Sequence, residues 1–314
     1  TRFKCDWSSD VCSSDLDLKT WGFEFELSWR DKLKNGFGYG AKFILSDSQT
    51  RITRYPNPTN TLTQYRQGQM WGEIWGYTTK DIARSDEDME NHLATLSNGG
   101  QDMMGNDWKA GDIMYVDVDQ NGRIDWGDNT STNPGDVSVI GNSTPRFAYG
   151  LDLTADYKGL DFRLFFQGVM KRDYFQNSYY FWGLNGNQGP WFSTLFVEHK
   201  DYFRNDPNDP MGENINAYYP RALFGTPKNQ QVQTKYLQNA AYLRLKNIQL
   251  GYTFPEKITK AISIQKMRVY LSGENLLTLT KLSSIFDPET IGGGWGGSVY
   301  PLSKVYSFGL TMTL

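Results

Sequence analysis

Strict alternation of apolar and polar residues is the feature that most constrains how this chain can fold. From Trp21 to Trp29 every second residue is large and apolar, and the residues between them are glycine, glutamate or serine. Successive side chains of a β-strand point to opposite faces, so this segment predicts a strand with one apolar and one polar face. The same alternation recurs in six later segments, which are 37–45, 147–157, 160–166, 248–254, 267–271 and 306–314. We therefore predict an all-β fold with antiparallel strands at these seven segments.

The fifth of these segments contains a predicted irregularity. Leu243 and Leu245 are one residue out of step with Ile248 and Leu250. One extra residue in a strand would bring both pairs onto the same face, so we predict a β-bulge near Asn247.

The lengths of the connections indicate what kind of sheet the strands form. Short connections alternate strictly with long ones, the short ones being 30–36, 158–159 and 255–266 and the long ones 46–145, 170–240 and 276–303. All long connections would therefore lie on one side, as in outer-membrane barrels with short periplasmic turns and long outer loops. The alternating runs last about 9–11 residues, the length of a tilted strand across a bilayer, and Trp21 and Trp29 bracket the first strand as an aromatic girdle would. A soluble β-sandwich would also show alternation and is the alternative.

The number of strands bears on how much of a barrel is present. Bacterial barrels have an even number of strands, and lipid does not tolerate open sheet edges. We therefore expect residues 17–314 to be the C-terminal part of a large transmembrane β-barrel with long extracellular loops. Residues 1–16 lack hydrophobic periodicity and resemble a translated sequencing adapter, so we expect this segment, with the chain's two cysteines Cys5 and Cys12, to be non-native.

Composition and motifs argue against other classes of protein. Lys and Arg total 32 against 35 Asp and Glu, whereas nucleic-acid binders normally have a basic surplus. No apolar run approaches the ~18 residues that a transmembrane helix needs. The only histidines, His92 and His199, lie in loop segments, and no nucleophile elbow, zinc-protease or phosphate-loop motif is present. We expect neither a nucleic-acid partner nor enzymatic activity.

Five blocks of the sequence resemble one known family. They are 111–128, 139–168, 240–258, 267–281 and 300–314, and the segments 22–31 and 72–82 fit more loosely. In order and content they resemble the SusC/RagA family of TonB-linked outer-membrane proteins. The resemblance implies a plugged barrel of about 22 strands in the bacterial outer membrane, energised by the TonB complex through an N-terminal part outside this sequence. It also implies import of oligosaccharides or peptides beneath a surface lipoprotein of the SusD type.

Two other functions are consistent with parts of this pattern. A different TonB-dependent receptor, for metal chelates or vitamins, would share the barrel but would not co-purify with a SusD-like lipoprotein. A secreted carbohydrate-binding β-sandwich would share the alternation but would be soluble without detergent.

An aspartate-rich stretch has the spacing of a calcium-binding loop. Its residues at positions 1, 3, 5, 7, 9 and 12 are Asp117, Asp119, Asn121, Arg123, Asp125 and Asp128. Such loops offer Ca²⁺ oxygen ligands from alternate residues, have glycine at position 6 (here Gly122), and use the backbone carbonyl of position 7. Asp128 replaces the usual glutamate and no amphipathic helix is evident on either side, so we predict a structural Ca²⁺ site outside an EF-hand. An ordinary surface turn is the alternative.

The second long connection carries aromatic residues among asparagine and glycine. They are Tyr179, Tyr180, Phe181, Trp182, Trp191 and Phe192. Aromatic rings on loops can stack on sugar rings, so Tyr179, Tyr180, Trp182 and Trp191 are candidates for substrate binding. The same rings could instead form a small core of the loop or a contact with a lid.

Charged residues on the polar face of the predicted strands are candidates for lining a water-filled interior. They are Glu24, Glu26, Arg163, Arg244 and Arg268. Structural pairing between neighbouring strands explains them equally well.

Overall fold

The computed structural model of the protein describes residues 16–184, 186, 187, 189, 191, 193–293 and 299–314. The predicted non-native segment, except Leu16, and the aromatic residue Phe192 lie outside the described residues. Within the described residues no helix is both long enough and apolar enough to cross a membrane.

The described chain is dominated by β-strands. In chain order they are β1 (Asp17–Lys32), β2 (Gly38–Arg54), β3 (Glu73–Tyr77), β4 (Thr79–Ile82), β5 (Ile113–Tyr115), β6 (Val137–Asn142), β7 (Arg146–Tyr157), β8 (Leu160–Lys171), β9 (Asp173–Phe175), β10 (Leu237–Asn239), β11 (Tyr242–Thr253), β12 (Lys266–Thr280) and β13 (Val305–Thr313). The α-helices are α1 (Asp86–Ala94), α2 (Tyr179–Trp182) and α3 (Glu256–Thr259), and 3₁₀ turns span Val197–Lys200, Thr234–Tyr236 and Lys260–Ile262.

Seven strands form one antiparallel sheet, which confirms the predicted fold class. The order across the sheet is β1, β2, β7, β8, β11, β12 and β13, so each strand pairs with the previous and the next sheet strand along the chain. The intervening connections are alternately short and long, as predicted. Because neighbouring strands are antiparallel, all three long connections leave from the same end of the sheet.

One face of this sheet is apolar across all seven strands. The ladder places Phe43 opposite both Leu27 and Leu151, and Phe166 opposite both Leu151 and Leu245. Directly paired residues share a face, so these side chains form a continuous apolar row. In the outer strands this face is open, and Phe308 of β13 keeps 71% of its surface exposed. A sandwich would bury such a face against a second sheet, whereas a membrane-spanning sheet leaves it to lipid.

The predicted bulge lies in β11. The register of β11 shifts between Leu245 and Asn247 against both of its neighbours, β8 and β12. Lys246 is therefore the extra residue, and it restores Ile248 and Leu250 to the apolar face that Leu243 occupies.

Several strands are longer than the alternation predicted. β1, β2 and β12 contain 16, 17 and 15 residues. The predicted long connections 46–145 and 276–303 therefore begin too early, because β2 continues to Arg54 and β12 continues to Thr280. In β2 the backbone ladder continues through residues 46–54, most of which are polar, so the alternation ends before the strand does. In β12 the residues Gly273, Glu274 and Asn275 interrupt the apolar alternation, which resumes at Leu277 and Leu279.

The main hydrophobic core of the described chain lies in the long connections and not beneath the sheet. It includes Tyr115 from the first connection, Phe181 and Tyr236 from the second, and Phe286 and Ile291 from the third. The rings of Phe181 and Phe286 have centroids 6.5 Å apart, and those of Phe181 and Tyr236 are 6.2 Å apart. The three long connections therefore share one aromatic core, and we call this unit the loop layer.

Candidate functional site

The face of the sheet opposite the apolar row carries charged residues, and most of them are paired. Lys42 Nζ lies 2.9 Å from Glu26 Oε1, and Arg163 and Arg268 bind carboxylates on neighbouring or next-but-one strands. Of the five predicted interior residues, Glu26, Arg163, Arg244 and Arg268 are in ion pairs. Cross-strand pairing therefore accounts for Glu26, Arg163 and Arg268, as the structural interpretation proposed, and it keeps a charged face compatible with water.

Arg244 connects the sheet to the third long connection. Its side chain is buried, and its Nη1 and Nη2 lie 2.8 Å from Glu289 Oε2 and 2.6 Å from Asp287 Oδ2. Lys246, the bulged residue, contacts the same Glu289 at 3.1 Å. The arginine predicted to face open water is thus enclosed by the loop layer, and it fixes that layer to the wall strand β11.

A second buried charge cluster joins the first and second long connections. Lys228 is 1% exposed and its Nζ lies 2.9 Å from Asp112 Oδ2, while Arg221 Nε lies 2.7 Å from Asp112 Oδ1. Burial would raise the pKa of Asp112, but hydrogen bonds from Arg221, Asn229 and Lys228 outweigh it and lower that pKa. Asp112 is therefore ionised at neutral pH and holds the two connections together.

The aspartate-rich loop brings three carboxylates close together. Asp117, Asp119 and Asp136 each present one oxygen within 4.8 Å of the others. The turn that positions them has Gly122 at φ 83°, and its N–H donates to Asp117 Oδ2 at 2.9 Å. Hard cations select this kind of oxygen cluster, so the donor set is compatible with Ca²⁺.

Asp136 is a member of this cluster that sequence spacing did not predict. Its carboxylate is fully buried and accepts hydrogen bonds from the N–H groups of Val118 and Asp125 at 2.6 and 2.8 Å. Burial raises the pKa of Asp136, and the neighbouring charge of Asp119 raises it further. A buried carboxylate without a cationic partner in the described chain is a group that a bound cation would stabilise.

The remaining residues of the predicted calcium loop lie around the cluster. Asp125 is buried, pairs with Arg123 and accepts from the N–H of Gly127 at 2.6 Å. Asn121 bridges the loop by donating to Asp117 and Asp119 from its backbone N–H. Asp128, predicted at position 12, accepts from Asn133 Nδ2 at 2.9 Å and is not part of the three-carboxylate cluster. Asp136, and not Asp128, is therefore the third carboxylate of the cluster.

The predicted substrate-binding aromatics have different environments. Trp182 is 7% exposed and lies in the core of the loop layer, with its ring centroid 4.6 Å from that of Tyr236. Stacking of a sugar on this ring would require opening the core, because other aromatic rings already cover it. Tyr179 and Tyr180 are half-buried with ring centroids 4.5 Å apart, whereas Trp191 is 79% exposed.

Two cavities adjoin Trp182. A cleft of about 690 Å³ is lined mainly by apolar residues, including Leu195, Val197, Met211 and Phe224. A more enclosed pocket of about 210 Å³ is lined by polar residues of the second connection, including Ser178, Gln230 and Gln231. Sequence patterns did not indicate these residues, because they are brought together only when the connection folds back on itself.

The fold and its surfaces define a class of protein. A seven-stranded antiparallel sheet with one open apolar face, one charged face and every long connection at one end has the architecture of a wall segment of an outer-membrane β-barrel. No protein-family model matches the chain.

Comparison with known proteins gives the particular relatives. TonB-dependent receptor P3 of Formosa agariphila is 26% identical over 322 residues, covering 94% of this chain and 29% of the receptor. TonB-dependent receptor SusC of Bacteroides thetaiotaomicron is 22% identical over 316 residues, covering 99% of this chain and 28% of SusC. The solved structure of the RagAB peptide transporter matches with a TM-score of 0.64 at 22% identity, covering 94% of this chain and 29% of that one.

These comparisons confirm the resemblance to SusC/RagA-type TonB-linked proteins, and the fold is that of a segment of such a barrel. The chain spans less than a third of the length of these relatives.

Proposed function

We propose that this chain forms part of the wall and the outer loops of a TonB-dependent importer in the bacterial outer membrane. The observation that carries the proposal is the apolar row, which crosses the whole sheet and has no protein packed against it in the described chain. Lipid is the environment in which such a face is stable, and similarity to TonB-dependent receptors supports the same location.

The cargo that we propose is an oligosaccharide or a peptide. The loop layer is a folded unit with cavities. This suits a receptor that binds a hydrated solute before the solute crosses the outer membrane. One relative is a TonB-dependent receptor named SusC, and one structural neighbour is a peptide transporter. We further propose that a SusD-like lipoprotein covers the loop layer and that the TonB complex supplies energy through the rest of the receptor. A receptor for metal chelates or vitamins is the alternative.

We propose no chemical conversion of the cargo. Both histidines are buried in structural positions: His92 Nε2 faces Gln101 Oε1 at 3.1 Å, and His199 Nε2 faces the carbonyl of Phe181 at 2.9 Å. Since the relatives named above are receptors or transporters, binding and passage account for the protein without an acid–base set.

We also propose that Asp117, Asp119 and Asp136 hold a structural Ca²⁺ ion. The support for this is the cluster of three carboxylates and the burial of Asp136. The ion would stiffen the first long connection, because it would join Asp117 and Asp119 in the middle of that connection to Asp136, which directly precedes β6.

Cell fractionation of the full-length receptor tests the proposed location. We expect the protein to remain with outer membranes after a carbonate wash and to be released by detergent. Deletion of its gene should abolish uptake of one oligosaccharide or peptide class, and deletion of tonB should have the same effect. Recovery as a detergent-free soluble monomer would contradict the proposal. Co-purification of a surface lipoprotein tests the proposed partner, because a chelate receptor would be isolated without one.

A further inference from the structure

Two cations stand directly opposite each other on the face of the sheet that carries the apolar row. Lys19 of β1 pairs with Arg51 of β2 in the ladder, and both residues are exposed. Like charges in directly opposed positions of a sheet repel each other and are destabilising. We propose that this pair binds the phosphate group of a lipid in the outer leaflet of the membrane. The inference rests on the proposed location in the outer membrane and adds a specific lipid contact to it.

The position of the pair along the strands places it at the depth of the lipid head groups. In β1 the apolar face runs from Trp29 to Trp21, and Lys19 is the next residue on that face, at the end of the sheet with the long connections. Eight residues of a strand tilted by about 40° rise about 20 Å, close to the ~25 Å height of the apolar band of a barrel. Lys19 lies about 5 Å further out, beyond the tryptophan that marks the membrane interface.

No carboxylate in the described chain neutralises either cation. Neither Lys19 nor Arg51 belongs to any of the ion pairs formed by the described residues, and the acids near them on this face are engaged elsewhere. Asp17 precedes Lys19 by two residues but contacts Arg54 at 4.0 Å. Asp47 of β2 accepts two hydrogen bonds from an arginine of β7. The pair therefore presents two positive charges that an anion from outside the described chain would compensate.

The chemistry of the two side chains suits a phosphate. A guanidinium offers paired N–H donors to two phosphate oxygens, and an ammonium adds a compact charge beside it. The guanidinium carbon of Arg51 lies 5.9 Å from the centre of the Trp21 ring, within the range of a cation–π contact. The ladder neighbour of Arg51 on its other side is the uncharged Met70. Arg51 is thus held beside the interfacial tryptophan without a competing acid.

The apolar residues next to the pair favour a lipid phosphate over a soluble one. Trp21 and Phe23, the next residues on this face, are 41% and 48% exposed. A lipid whose phosphate contacts the two cations places its acyl chains along these rings, so both parts of the molecule meet a matching surface. A soluble anion would meet only two exposed cations in water, where such contacts are weak and are screened by salt.

Lipid binding to the purified full-length receptor in dodecyl maltoside tests the proposal. The probes are bisphosphorylated lipid A and the same lipid A with both phosphates removed, and native mass spectrometry measures the bound lipid during each titration. We expect saturable binding of the phosphorylated lipid and weaker binding of the dephosphorylated lipid. The double variant Lys19→Gln/Arg51→Gln should bind the phosphorylated lipid about tenfold more weakly or worse, since each basic residue near an anionic lipid surface contributes a factor of about five. Inorganic phosphate in excess should not displace the lipid.

The double variant Lys80→Gln/Lys200→Gln is the matched control. Both lysines are exposed, belong to the loop layer and take part in no ion pair of the described chain. This variant loses the same charge away from the apolar face, so its lipid affinity should be unchanged. Thermal melting should show that both double variants are folded, and the comparison of the two lipids on the unsubstituted receptor stays decisive if one is not.

Four results would each overturn the lipid site. They are equal binding of the two lipids, unchanged affinity in Lys19→Gln/Arg51→Gln, equal weakening in the control variant, and displacement of the lipid by inorganic phosphate. None of these results would contradict the proposed importer, which depends on fractionation and on TonB-dependent uptake.

Discussion

Arg244 Nη2 lies 2.6 Å from Asp287 Oδ2, although Arg244 belongs to the wall strand β11 and Asp287 to the third long connection. The side chains of the pair are 3% and 9% exposed. Glu289 completes the arrangement at 2.8 Å from Arg244 Nη1. The loop layer is therefore bound to the sheet through a buried, hydrogen-bonded ion cluster and not only through the covalent chain.

Arg244→Met should strongly destabilise the anchoring of the third connection. Removing the guanidinium leaves the carboxylates of Asp287 and Glu289 buried with less compensation, a change that typically costs about 3–5 kcal/mol. Equilibrium unfolding in urea, together with limited proteolysis of residues 281–293, measures the effect. Lys260→Met is the control, because the Lys260–Glu256 pair lies on the solvent-exposed surface. Equal effects of the two substitutions would refute the anchoring role of Arg244.

The apolar row should be sensitive to charge in a way that the opposite face is not. Leu271 of β12 lies on the apolar face of the sheet, opposite Leu250 and Phe308, and its neighbour Ser272 points to the polar face. Arginine on a lipid-facing position near the midplane costs about 2–4 kcal/mol, so Leu271→Arg should reduce the free energy of unfolding in lipid vesicles by that order. Ser272→Arg should change it much less. Similar tolerance at both positions would argue that the row does not face lipid.

A side chain on Gly309 should displace the ring of Tyr270, because that ring occupies the space above Gly309. A Cβ on Gly309 would overlap Cζ and Cε1 of the Tyr270 ring. Gly309→Ala should therefore destabilise the β12–β13 pair by about 1–3 kcal/mol, the usual cost of overpacking. Gly150→Ala is the matched control, since a Cβ there would meet its nearest atom at 3.5 Å. A double variant with Tyr270→Ala should recover most of the loss in urea unfolding, and additive effects would contradict this explanation.

Calcium should protect the aspartate-rich loop, and its effect should depend on Asp136 and not on Asp128. Titration of Ca²⁺ into the full-length receptor should slow proteolytic cleavage between residues 116 and 137. Asp136→Asn should abolish the protection, whereas Asp128→Asn should retain it, because Asp128 binds Asn133 outside the cluster. Protection lost only in Asp128→Asn would favour the spacing-based ligand set. If the rate of cleavage is the same with and without Ca²⁺, the proposed calcium site is wrong.

The raised pKa of Asp136 sets the direction of the pH dependence. Without calcium, a carboxyl whose folded pKa lies above its ordinary value of 3.8 favours folding most at pH values below 3.8. This contribution is lost as the pH rises through the folded pKa, since the buried group then becomes charged. Without calcium, the unsubstituted protein should therefore lose stability relative to Asp136→Asn as the pH rises from below 3.8 to neutral, measured by urea unfolding at each pH. Calcium affinity should fall on acidification, because protons compete for the same oxygen atoms.

The sheet could be predicted from sequence because its chemistry is periodic. Phe25 and Leu27 are both apolar because both lie on the apolar face of the sheet. The bulge at Lys246 appears as a single break in this alternation of apolar and polar residues. The loop layer has no such period. Asp136 follows a turn that folds it back against Asp117, and the burial of Trp182 depends on rings more than thirty residues away, so neither environment can be read from neighbouring residues.

The shared aromatic core of the three long connections limits how such a protein could change what it recognises. Replacing one connection would remove rings such as Phe181 or Phe286 from contacts that the other two connections need. New specificity is therefore expected to arise through substitutions at the rims of the cavities, or by exchange of all three connections as a single cassette.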